Sequence, residues 1–237
     1  MKTALCDKRI SEGCIETLRG LGYTVICLPP WSRLSPPVAS HPDMLLFPIG
    51  DRIIASSDYY SFAKNQIDEL IKRTNKRLVL TNETASADYP FDILFNALVL
   101  GNRIYGKLSH LSRSVLRTAE ELGYAPSDTK QGYVKCSSLK VGERAVITAD
   151  RGLADIFRKN GEDVLLISGG GILLPPYDYG FIGGASGLTD GEVLFCGDLR
   201  THPDYDRITL FCEKHGKRVL SLSDEPLLDV GSIFLFE

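Results

Sequence analysis

The chain has 237 residues, of which 43% are hydrophobic and 24% charged, with a net charge of −3; that balance excludes wholesale disorder and points to a globular core. No run of Lys or Arg exceeds two residues, which excludes a phosphate-tracking basic face and nucleic acid as the main partner. Apolar stretches such as 94–100 and 167–177 are too short or too rich in Gly and Pro to span a bilayer, and residues 1–8 break their apolar run too early for a secretory leader, so the expectation is a cytoplasmic protein without a membrane partner.

In chain order, Thr3–Asp7 reads as a strand, followed by a helical stripe (Cys14, Ile15, Leu18, Leu21) that closes at Gly22 and a second strand over 24–28. The pattern of stripe, closing residue and strand then recurs. The stripes are Phe62, Ile67, Leu70 and Ile71; Leu111, Val115, Ala119 and Leu122; Leu153, Ile156 and Phe157; and Ile208, Phe211 and Cys212. They close at Asn75, Gly123, Gly161 and Gly216, residue types suited to the left-handed conformation that ends a helix. The strands that follow lie at 77–80, 164–167 and 219–222, with an ill-defined one after Tyr124.

Between units, two apolar runs meet at Gly50-Asp51-Arg52, Gly101-Asn102-Arg103, Gly142-Glu143-Arg144 and Gly191-Glu192, hairpin chemistry in which Gly supplies a positive φ. The fifth hairpin is cut: 232–237 supplies its first strand and Thr3–Asp7 its second. The closing residues are spaced by 53, 48, 38 and 55 residues and by 43 around the ends, one circuit of the chain. The reading is a single domain over 1–237, made of five units of hairpin, helix and strand in a ring closed by its terminal strands.

The six cysteines contain no C-x-x-C pair and the four histidines no metal-ligand spacing, so neither a disulfide framework nor a metal is expected. Five cysteines sit at core-facing positions. Cys136 differs, flanked by Lys135 and by Ser137 and Ser138, groups able to stabilise a thiolate. His-Pro-Asp occurs twice. At 202–204 it precedes a helix, where Pro in the first turn and Asp at the positive end of the dipole account for it; at 41–43 it precedes a strand, and His41 becomes a functional candidate. Ser168-Gly169-Gly170-Gly171 could cradle a phosphate but lacks a following Lys and helix, and reads as a flexible connection. The loop 29–40 carries the sole Trp and reads equally as a lid or as a stiff surface segment.

Five such units in a ring resemble the pentein β/α-propeller of arginine deiminase, agmatine deiminase, dimethylargininase and the amidinotransferases. His41-Pro42-Asp43 is similar to that family's His-x-Asp, Cys136 stands two units on where the family has its nucleophile, and Leu228-Asp229-Val230-Gly231-Ser232 occupies the place of a Glu-Gly-Gly-Asp-like segment, in circularly permuted order. The resemblance implies Cys136, His41 and Asp229 as catalytic residues, with Asp43, Asp92 and Asn96 lining a substrate pocket. It implies a cysteine-dependent hydrolase or transferase for a small amidine-like or guanidino metabolite in an axial pocket, with no cofactor. Gly184 departs from the pattern: the family's guanidinium-gripping Asp would stand there, so arginine itself is expected to be a poor substrate. The alternative is a non-catalytic pentein, a binding or scaffold protein like the ribosome anti-association factor of this fold.

Overall fold

The computed structural model describes residues 2–237. Strand β1 (Thr3–Asp7) leads through helix α1 (Glu12–Gly20) to β2 (Thr24–Leu28). A one-turn helix α2 (Pro42–Leu45) precedes the hairpin β3 (Leu46–Ile49) and β4 (Arg52–Ser56), followed by α3 (Ser57–Phe62), α4 (Lys64–Thr74) and β5 (Arg77–Thr81). The next unit comprises β6 (Leu98–Leu100), β7 (Arg103–Gly106), α5 (Arg113–Glu121) and β8 (Ala125–Asp128). A second one-turn helix, α6 (Val134–Ser137), opens β9 (Ser138–Gly142), β10 (Ala145–Thr148), α7 (Arg151–Lys159) and β11 (Asp163–Leu166). Then come β12 (Ser186–Leu188), β13 (Glu192–Phe195), α8 (Tyr205–Lys214), β14 (Arg218–Ser221) and β15 (Phe234–Phe236).

Among the described residues these strands form five three-stranded sheets, ordered β15-β1-β2, β3-β4-β5, β6-β7-β8, β9-β10-β11 and β12-β13-β14. Each joins an antiparallel pair to a parallel third strand reached through a helix, the crossover that parallel pairing requires. In the sheet built from both ends of the chain, Thr3 faces Phe236 and Leu5 faces Phe234 antiparallel, while Thr3–Asp7 runs parallel to Thr24–Leu28. The middle strands β1 and β10 are buried along their whole length and β4 and β13 at all but their first residue, so Leu5, Ile53, Ile54, Val146 and Leu194 form the base on which the helices pack. Each such side chain contributes about 2 kcal/mol of burial.

The five closing residues all take positive φ: Gly22 87°, Asn75 52°, Gly123 82°, Gly161 81° and Gly216 71°. The hairpin glycines divide. Gly50 and Gly101 have φ of 55° and 57°, whereas the third hairpin turns through a register shift between Ala145 and Val146. The fourth is held by the Thr189 hydroxyl, which accepts the N–H groups of Gly191 and Glu192.

Three local expectations change. The stripe that began at Phe62 is broken at Ala63, whose φ of −105° separates α3 from α4; Phe62 turns outward, 55% exposed, and Tyr59 fills the core instead. His41 does not precede a strand directly: Pro42 opens α2 and the strand starts only at Leu46. Loop 29–40 is anchored, with Trp31 buried against the Tyr59 ring at 5.4 Å and the Tyr59 hydroxyl donating to the Pro29 carbonyl. No helix among the described residues is long and apolar enough to cross a membrane.

Candidate active site

The two one-turn helices and the loop 229–232 bring His41, Asp43, Cys136 and Asp229 together from three sheets. Proline at the first position of α2 fixes the backbone where chain direction must change, and Asp43 N–H donates to the Gly231 carbonyl at 3.1 Å, tying this unit to the last one. Gly231 has φ 62°, and a Cβ there would lie 2.2 Å from the His41 Cβ and Cγ atoms. Only glycine fits beside that ring.

Cys136 Sγ donates to Asp43 Oδ2 at 3.1 Å, and Asn96 Nδ2 donates to the sulfur at 3.0 Å while Asn96 Oδ1 accepts the Lys135 N–H at 2.8 Å. Asp43 Oδ2 also accepts from Ser232 Oγ at 2.8 Å, and Ser232 in turn accepts from Lys135 Nζ at 2.8 Å. Ligating atoms of His41, Asp43 and Cys136 all lie within 4.8 Å of one another. The sequence, with no paired spacing, gave no hint that these three donors form a set able to hold a metal ion.

Burial pushes the Cys136 thiol well above its ordinary range, and the charges of Asp43 and Asp229 push it further; the Asn96 amide opposes them. The thiol is therefore held protonated, opposite to the thiolate that its sequence neighbours suggested. Lys135 does not reverse this, because burial pulls its ammonium down despite the nearby anions. Burial also raises the carboxyl of Asp229, against the lowering effect of the Gly231 and Phe181 N–H groups that it accepts.

His41 Nε2 lies 2.6 Å from Arg9 Nη2 and 3.9 Å from Asp229 Oδ1, and its Nδ1 is buried without a partner. A guanidinium only donates, so Nε2 accepts and the neutral ring carries its proton on Nδ1. Arg9 is itself clamped by Asp7, through Nε and Nη2, and Asp7 accepts from Ser40 Oγ at 2.7 Å. Arg9 was not singled out in the sequence, although the Asp-x-Arg clamp recurs at Asp198 and Arg200 and self-similarity could have found it.

A cavity of about 340 Å³ opens onto this cluster, lined by His41, Cys136, Asp92, Asp229, Tyr133 and Phe181 among others, with Ser35 and Val38 of the anchored loop on its rim. Asp92 Oδ2 accepts the Tyr133 hydroxyl at 2.6 Å, its Oδ1 has no partner, and burial raises its carboxyl. Asp43 and Asn96, expected to face substrate, make their contacts to the thiol instead. Gly184 is occupied space: a Cβ there would lie 2.0 Å from Asp229 Oδ1, so the Asp229 carboxylate fills the room a side chain at 184 would need. Phe181 and Gly231 N–H groups fix that carboxylate at 2.9 and 3.0 Å.

A family model described as "Family of unknown function (DUF6873)" matches residues 5–234. No curated protein sequence matches. Among solved structures, the chain is similar to DDAH from Pseudomonas aeruginosa, a Cys-to-Ser mutant complexed with citrulline, at 14% identity and TM-score 0.58, covering 94% of this chain and 91% of that one. It is similar to a His-to-Gly dimethylarginine dimethylaminohydrolase adduct with S-methyl-L-thiocitrulline, at 13% identity and TM-score 0.57, covering 94% and 92%. It is also similar to SxtG, an amidinotransferase from Microseira wollei in the saxitoxin biosynthetic pathway, at 14% identity and TM-score 0.53, covering 91% and 77%. At these identities the likeness establishes the fold, which this chain shares with the two dimethylarginine hydrolase structures and the amidinotransferase.

Proposed function

This chain belongs to the family of unknown function DUF6873, and we propose that it is a cysteine-dependent hydrolase or amidino-group transferase acting on a small amidine or guanidine cation. The observation that carries the reading is the convergence of the His41, Asp43 and Cys136 donor atoms within 4.8 Å at a cavity whose other walls include two carboxylates, Asp92 and Asp229. The whole chain, 1–237, is read as one closed pentein ring of five units, supported by the pairing of β15 with β1. Six unpaired cysteines support a cytoplasmic location.

The protonated thiol sets the order of events. The anions that raise it are the groups that would attract a cation, and a bound amidinium next to Sγ reverses the sign of the local charge and draws the thiol down. Sγ attacks the electrophilic carbon as its proton passes to Asp43, with which it already shares a hydrogen bond. The carbon–nitrogen bond breaks as the proton taken up by Asp43 passes to the departing amine, which the His41 Nδ1–H orients by a hydrogen bond, and a thiouronium-type intermediate remains on sulfur. Water, or an acceptor amine in a transferase, gives its proton to Asp43 and attacks the carbon, and the thiolate leaves and takes that proton back from Asp43. Arg9 holds Nε2 as an acceptor throughout. With Gly184 closed by Asp229, one carboxylate stands where a guanidinium fork would meet two, so a smaller or less forked cation fits better than arginine.

The test is alkylation by a chloroacetamidine-type probe against a neutral haloacetamide, read by mass spectrometry of the intact protein and its peptides. The cationic probe should modify Cys136 selectively, and at a lower pH than the neutral one. Cys136→Ser and His41→Ala should abolish turnover of whichever amidine a substrate screen identifies. Equal reactivity of the two probes, or full turnover by Cys136→Ser, overturns the proposal. Cation binding without any turnover would favour the non-catalytic reading, which the protonated thiol also suits.

A further inference from the structure

A second cavity, about 460 Å³, lies on the other side of the Tyr179–Phe181 segment, between the β9-β10-β11 and β12-β13-β14 sheets. It is lined by Ser137, Asp150, Ser168, Gly169, Gly170 and His202, among others, and no step above uses it. Two of its lining side chains are buried hydrogen-bonding groups without a partner. His202 is 2% exposed; its Nδ1 accepts the Asp204 N–H at 3.0 Å, which leaves the ring proton on Nε2, and Nε2 meets no acceptor. Ser137, also 2% exposed, has an Oγ with no partner. Buried donors in folded proteins are satisfied with few exceptions, so two orphans from separate units on one cavity call for a missing acceptor.

The rest of the wall agrees with that sign. Loop 168–171 is pinned by Ser168 N–H donating to Asp204 Oδ2, and it turns through Gly170 and Gly171 with φ of 91° and 74°. It packs on the histidine closely enough that a Cβ at Gly171 would lie 3.3 Å from His202 Cδ2. The acceptors nearby are already used. Asp150 takes the Leu153 N–H and the Gln131 amide, and Asp204 takes Arg207 and the loop. Arg151, exposed at the start of α7, stands at the cavity, and Arg207 in the adjoining cleft.

We propose that this cavity binds a small oxyanion, the phosphate or carboxylate group of a metabolite, with His202 Nε2–H and Ser137 Oγ–H as its buried donors and Arg151 at its mouth. The glycine-rich loop is thereby the wall of a site rather than a flexible connection. The site is separate from Cys136 and does not depend on the covalent chemistry proposed there.

The test is titration of the full-length protein with inorganic phosphate and, in parallel, with succinate, followed by imidazole NMR of the four histidines and by calorimetry. The expected result is a saturable shift of the His202 Nε2 signal with at least one anion, while His110, half-buried and outside the cavity, does not respond. Saturation by phosphate alone identifies a phosphate ester as the ligand class, and saturation by succinate alone a carboxylate; either supports the site. His202→Phe should weaken binding at least ~10-fold and Ser137→Ala several-fold, with His202→Gln, which keeps a donor, recovering part of the loss. No saturable shift with either anion in the wild-type protein overturns the proposal, as does unchanged affinity in Ser137→Ala and His202→Phe. Because the wild-type titration stands alone, a variant that fails to fold does not shelter the idea.

Discussion

His-Pro-Asp occurs at 41–43 and again at 202–204, and the two copies share their local geometry. Each histidine is extended, with φ −60° and ψ 118° in the first and φ −82° and ψ 135° in the second, each proline leads into a helical turn, and each aspartate is buried. Their surroundings differ. Asp43 meets a thiol and a serine from other units, whereas Asp204 meets a loop N–H and Arg207 on its own helix. His41 is pressed by Gly231 and held by Arg9 through Nε2; His202 is held by the Asp204 N–H through Nδ1, so its proton sits on the opposite nitrogen. The tripeptide sets how the chain enters a helical turn. What the residues then do is set by the partners the fold places against them.

The largest effect expected from breaking this contrast is a deletion of 232–237. It removes Ser232 from Asp43 and strips β15 from β1, leaving an exposed edge. The truncated chain should lose its cooperative melting transition and near-UV circular dichroism; an unchanged Tm would show that the first copy does not depend on the last unit.

Next is a pair of glycine substitutions. Gly231→Ala combines φ 62° with a clash against His41 and should cost about 3 kcal/mol, whereas Gly171→Ala beside His202, where the nearest atom is Pro203 Cδ at 3.0 Å, should cost about 1 kcal/mol. In denaturant melts the first should lose clearly more than the second, and equal losses would mean that the two histidines are packed alike.

Asp43→Asn removes an anion that raises the Cys136 thiol, so the thiol falls and alkylation near neutral pH should speed up ~10-fold for each unit of fall. Asp204→Asn should leave that rate unchanged. A slower reaction in Asp43→Asn would show that the carboxylate's uptake of the thiol proton outweighs the charge it places beside the sulfur.

The smallest effect belongs to Asp204 and acid. The Ser168 N–H and Arg207 lower its carboxyl from 3.8 to about 2, so its stabilising contribution is complete above 3.8 and is lost as pH falls from there through about 2. Solvent screening at the exposed Arg207 side of the pair limits it to about 1 kcal/mol. Urea melts across that window should show a shallower decline for Asp204→Asn than for the wild type, and parallel declines would detach the carboxylate from the fold's acid sensitivity.

The repeat was legible in the order of residues alone. Helix stripes, the five closing residues and the strand-like runs depend on contacts within a dozen residues, and local propensity and periodicity carry that information. The pairing of Thr3–Asp7 with 234–236 was also legible, because the repeat leaves one unit incomplete. The hairpin turns were only half legible: Gly50 and Gly101 take the expected positive φ, while the third and fourth hairpins use a register shift and a threonine hydroxyl.

The state and orientation of the candidate site came from contacts between distant units. Lys135, adjacent to Cys136 in sequence, suggested a stabilised thiolate, yet burial and two anions from distant units, Asp43 and Asp229, keep the thiol protonated. Asp43 and Asn96 turned from the cavity to the sulfur, Arg9 reached the far nitrogen of His41, and the Asp229 carboxylate filled the space at Gly184. These outcomes depend on burial and on distances between residues that lie 32 to 189 positions apart. Charge and hydrogen-bond energies vary steeply with both quantities, and no local pattern in the chain encodes either.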